Sequence, residues 1–142
     1  MQYPATFTPD TEAGGFVVTF RDIPAAITQG DTEEEARDMA ADVLVLAMES
    51  YFDEKCQVPS PSARQDHERA IAVPASVAAK ILLLNEMIAS GTKASDLARR
   101  LGTSPQEVNR LIDLKHSTKI DRIEEALVAL GKNLDLRIAE PA

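Results

Sequence analysis

A single cysteine, Cys56, stands in the 142 residues, so no internal disulfide framework dictates the fold. His67 and His116 are the only histidines, and neither has a second His or Cys at metal-ligand spacing; no metal and no cofactor are expected. No apolar run reaches transmembrane length and no basic-then-apolar leader follows Met1, which argues against insertion or export and for a cytoplasmic protein. Gly14-Gly15 is too short for a phosphate loop and suits a hairpin turn. Paired carboxylates and a nucleophile with its base are also missing, which makes an enzyme the weaker class.

Basic charge is scarce where acid is plentiful. Residues 1–70 hold 5 Lys/Arg against 14 Asp/Glu, a net −9, while residues 71–142 hold 10 against 9, a net +1, consistent with −8 for the whole chain. So acidic a chain is a poor non-specific polyanion binder, because phosphate contacts supply most non-specific affinity. Nucleic acid, if bound, must be bound through the C-terminal half. The length fits either one domain or two small ones and the 44% apolar content is ordinary for a globular chain; two lobes are expected, placed at 1–73 and 74–142.

In the first lobe, residues 2–8 and 15–21 are extended candidates joined by an Asp10-to-Gly15 hairpin loop, with Phe16, Val18 and Phe20 alternating against Val17, Thr19 and Arg21. A third strand is expected over Ala26 to Gln29, after Asp22-Ile23-Pro24. A helix then begins at Thr32, whose hydroxyl can cap it while Glu35 completes a capping box. Ala36, Met39, Ala40, Val43, Leu44, Ala47 and Tyr51 form its expected core stripe, leaving Glu34, Asp38 and Glu49 outward. Pro59 to Arg69 reads as a flexible polar linker open to proteolysis, and Ile71-Ala72-Val73 as a fourth strand.

The second lobe opens with a helix from Ala75 to Ser90, ended by Gly91; its apolar side is wide enough to suggest a second packing partner, either a second copy or the monomer's own core. Residues 92–131 then read as two short helices around a tight turn, followed by a third. Leu97, Ala98, Leu101, Val108, Leu111 and Ile112 supply a shared small core. Gly102 ends one helix and Ser104-Pro105-Gln106-Glu107 starts the next as a capping box. This is the layout of a helix-turn-helix DNA reader. Thr103, Ser104, Gln106, Asn109 and Arg110 are the expected DNA-facing residues, with Lys115, Lys119 and Arg122 on phosphates. A helical packing domain with a solvated polar face has the same spacing. Leu134, Leu136 and Ile138 suggest a final strand with an open edge.

The run GGFVVTFRDIPAAITQGDTEEEARDMAADVL, with Asp22-Ile23-Pro24, Thr28, Gly30, Thr32 and Glu35-Ala36 in order, resembles the signature of the HicB antitoxins of bacterial toxin-antitoxin pairs; YPATFTP is similar to their first strand. The resemblance implies an α+β protein: a partial ribonuclease-H-like sheet with one covering helix and no catalytic carboxylates, joined to an all-α helix-turn-helix domain. It further implies a HicA-like ribonuclease toxin as partner, operator DNA as ligand, and assembly as a homodimer or higher homo-oligomer. Glu34, Asp38 and Glu49 are then candidate toxin contacts. One departure stands out: repressor-type readers often carry a glycine soon after the reading helix, where this chain has Leu114-Lys115-His116-Ser117. Two other readings stay open on the residues alone, a ligand-sensing repressor without a toxin and, more weakly, an active nuclease.

Overall fold

The computed structural model describes residues 1–140. Its elements are β1 (Gln2–Pro9), β2 (Phe16–Phe20), β3 (Ile27–Gly30), α1 (Glu33–Asp53), β4 (Arg69–Ala72), α2 (Ala75–Ser90), α3 (Ala94–Leu101), α4 (Pro105–Leu111) and α5 (Ile120–Ala129). This is an α+β arrangement. The chain divides into two compact units, one built on Met1–Met48 and Pro59–Val73, the other on Glu49–Val58 and Pro74–Ile138.

In the first unit an antiparallel sheet runs in the order β3-β2-β1-β4. The register sets Ala5 opposite Phe20, Phe7 opposite Val18, and Tyr3 opposite Ile71. Paired residues share a face of the sheet, so this register gathers Tyr3, Ala5, Val18, Phe20 and Ile71, all buried, into one apolar layer. Tyr3 is fully enclosed, and its hydroxyl donates to the Pro59 carbonyl at 2.7 Å, as a buried phenol requires.

Helix α1 starts as expected: the Glu35 amide donates to Thr32 Oγ1 at 3.1 Å. The Glu35 carboxylate, however, accepts from the Asp31 amide, one residue before the cap. Its core stripe also differs from the expected one. Within the first unit the fully buried positions are Ala36, Ala40, Leu44 and Met48, while Met39 is exposed and Val43 and Ala47 are half-buried. A stripe recurring every fourth residue drifts about 40° per repeat around the helix, and a twisted sheet beneath accommodates that drift. Close approach fixes the helix start: a Cβ on Gly30 would lie 2.5 Å from the Ala36 nitrogen.

The stretch Pro59 to Arg69, expected to be a flexible linker, is pinned instead. Ser62 donates through its amide and hydroxyl to the Asp22 carboxylate at 2.7 and 2.6 Å. Arg21 reaches the Ala63 carbonyl at 2.7 Å and pairs with Glu68 through Nε and Nη2 at 2.7 and 2.9 Å. The Glu68 side chain is only 2% exposed. Its carboxyl is held down to about 2, chiefly by the Arg21 hydrogen bonds and further by the Gln65 amide, with burial working the other way. Two ion-strength contacts 40 and more residues apart in sequence thus replace the slack that proline and serine suggested.

In the second unit α2 to α5 pack around Ile81, Leu83, Leu84, Leu97, Val108, Leu111, Ile123 and Leu127. Phe52 and Val58 are buried here too, and Asn85 brackets Val58 by accepting from its amide at 2.8 Å and donating to its carbonyl at 2.9 Å. The final strand expected over Leu134 to Ile138 does not form. Alternation alone makes no strand without a neighbour for its backbone groups, and Leu136 and Ile138 stay exposed. No helix among the described residues is long and apolar enough to cross a membrane.

Candidate functional site

The turn between α3 and α4 is built from backbone hydrogen bonds. Gly102 adopts φ 67°, which lets the Thr103 amide fold back onto the Ala98 carbonyl at 2.9 Å and ends α3 cleanly. Ser104 then caps α4: its Oγ accepts from the Glu107 amide at 3.2 Å, and Pro105 takes the first helical position. The reciprocal half of the expected capping box is absent, because the Glu107 carboxylate pairs with Arg110 one turn on. A full guanidinium outcompetes a neutral amide for that carboxylate.

The outward side of α4 carries Gln106, Asn109 and Arg110, all exposed and within reach of one another by helical phase. Ser104 is exposed at the cap, and Thr103 is half-buried in the turn. Lys115 is exposed in the following loop, where its amide donates to Asp113 Oδ1 at 2.9 Å. Lys119 stands exposed at the start of α5, and Arg122 is paired with Glu125 at 2.8 Å. Amide and guanidinium groups on a short helix, followed by exposed lysines, can offer base-edge and phosphate contacts to a duplex.

One residue that the sequence reading missed organises this region. Lys80 on α2 is 3% exposed, and its ammonium donates to the carbonyls of Arg110 at 3.1 Å, Asp113 at 2.7 Å and His116. A buried cation thus sits against the C-terminal end of α4, where the helix dipole is negative, and binds the loop that carries Lys115. Burial lowers the Lys80 pKa, and the Asp113 charge opposes that shift. A lysine three residues after Val77 and four before Leu84, inside an apolar stripe, was the available signal.

On α1, Glu34 and Asp38 are exposed, while Glu49 is half-buried and belongs to the second unit. Glu33 pairs with Arg69. Among the described residues no group of three or more His, Cys, Asp or Glu gathers as a metal site would.

Comparison with known proteins addresses the whole chain. A family model described as the HicB-like antitoxin of bacterial toxin-antitoxin systems matches residues 2–82. Antitoxin HicB 2 of Photorhabdus laumondii is 52% identical over 136 residues, covering 96% of this chain and 95% of that protein. Antitoxin HicB of Escherichia coli K12 is 48% identical over 136 residues, 96% of this chain and 98% of its own length. Antitoxin HicB of Pseudomonas fluorescens is 37% identical over 128 residues, 89% and 88% of the two chains.

Proposed function

The chain belongs to the HicB-like antitoxin family of bacterial toxin-antitoxin systems, a family of antitoxins and not of enzymes, and from that premise we propose a two-part cytoplasmic regulator. Its N-terminal lobe, residues 1–73, binds and inhibits a HicA-like ribonuclease that cleaves mRNA. Its C-terminal lobe, residues 74–142, binds the operator of its own operon as a homodimer or higher homo-oligomer. The observation that carries this reading is similarity to named antitoxins across 96% of the chain, which takes in the acidic first half and the helical second half alike.

Physical chemistry supports both roles. A lobe of net −9 attracts a cationic RNA-binding protein over long range and speeds encounter, while apolar contact holds the complex. In the second lobe, Gln106, Asn109 and Arg110 on α4 suit base edges, Ser104 and Thr103 suit the backbone at the helix start, and Lys115 and Lys119 suit phosphates. The partner is a small basic protein encoded beside this chain. Co-purification of the two, and retardation of the operon's own promoter fragment by the full chain, test the reading. A complex of defined stoichiometry and a sequence-specific shift are expected; two proteins that elute apart would refute the first role, and equal affinity for unrelated DNA the second.

A further inference from the structure

Helix α1 carries more apolar surface than its sheet can cover. Ala36, Ala40, Leu44 and Met48 point into the first unit's core with no exposure. Met39 and Leu46 are 42% and 63% exposed, with Val43 half-buried between them. At 100° per residue these three fall within a sector of roughly 60° that flanks the core stripe, with Val43 at its edge and Met39 and Leu46 turned outward. Spacing of four and then three residues is that of a helix seam meant for a partner, not of scattered surface side chains.

Glu35, Asp38 and Asp42 run along one border of this seam, all exposed. Among the described residues none of the three is in an ion pair, although Glu35 accepts from the Asp31 amide. The lobe's own five cations are occupied elsewhere: Arg21 with Glu68, Arg69 with Glu33, Arg64 on the Glu68 carbonyl at 2.8 Å, Lys55 on the Phe52 carbonyl at 3.3 Å, and Arg37 beside the Phe7 ring at 5.9 Å. We infer that the Met39–Val43–Leu46 seam, with its acidic border, is where the first lobe receives its protein partner, through an apolar ridge flanked by Lys or Arg. This rests on the antitoxin reading and names its contact surface. A second copy of the chain is the wrong occupant, because pairing two such seams would crowd six unpaired carboxylates together.

The test titrates the purified small basic protein of the adjacent gene with the full chain, wild type and two double variants. Met39→Ala/Leu46→Ala should weaken binding on the order of a hundredfold, from lost apolar burial of two large side chains. Asp38→Asn/Asp42→Asn should slow association on the order of tenfold at low salt, with the difference vanishing at high salt. All substituted positions are exposed, and unchanged circular dichroism will confirm folding. If the wild type binds and both variants match it within twofold, the seam is not the contact surface, although the antitoxin reading stands. If the wild type itself does not bind, that reading falls and this one with it.

Discussion

Replacing Lys80 by methionine keeps the stem's length and apolar packing and removes only the ammonium, so it isolates the clamp behind α4. Three carbonyls lose a donor, but unequally. Arg110 O still accepts from the Asp113 amide at 3.3 Å and Asp113 O from the His116 amide at 3.2 Å, whereas His116 O keeps no other partner among the described residues. One orphaned acceptor costs about 1–3 kcal/mol and each weakened one a fraction of that, offset in part by relief from desolvating the ammonium. A net loss of about 2 kcal/mol follows, or about 10 °C in the melting temperature of a unit this small. Thermal unfolding by circular dichroism reads the stability, and hydrogen exchange should show residues 108–118 opening more readily than the remainder. Operator affinity should fall as well, since Lys115 and the end of α4 lose their support. A melting temperature within about 2 °C of wild type, with unchanged exchange over 108–118, would refute the clamp.

Glu68 gives a pH prediction. Its folded pKa of about 2 lies below the ordinary 4.5, so its contribution is complete above about pH 4.5 and is lost as pH falls toward 2. Because Arg21 is 38% exposed, screening reduces that contribution to about 1–2 kcal/mol; urea unfolding at pH 7 and pH 3 should show the acid loss in wild type and little of it in Glu68→Gln. Gly30→Ala drives a methyl against the Ala36 backbone and should cost about 1–3 kcal/mol by thermal unfolding. Arg110→Ala should lose about 1–3 kcal/mol of operator affinity and relax discrimination at one base pair, whereas an unchanged binding profile removes it from the reading set. Lys119→Ala should weaken all sequences alike and lower the salt slope by about one, measured by mobility shift across salt concentrations.

What could be read from the residues follows how local each cause is. Thr32 and Ser104 cap helices because their hydroxyls reach amides three residues on, so both helix starts were visible in the sequence. The strand pairs around Gly14-Gly15 and the turn at Gly102 are equally local. Lys80 was missed because its carbonyl partners lie 30 to 36 residues away, and the order in Pro59 to Arg69 because Arg21 and Asp22 supply it from across 40 or more. Met39 was assigned to the core because a helical stripe three residues wide and one four residues long in repeat cannot be told apart until the sheet's position is known. The tail failed in the opposite sense: Leu134, Leu136 and Ile138 alternate as a strand does, yet pairing depends on a neighbour that alternation does not encode.

Inhibition of an RNA-cleaving partner is the first role proposed for this chain. Its most direct test is a cleavage assay: the purified adjacent-gene protein is incubated with an mRNA transcript, and the full chain is titrated in. Cleavage that stops at a fixed molar ratio of chain to partner is the expected result. Cleavage that proceeds undiminished in excess chain, by a partner shown to be active, would contradict the account.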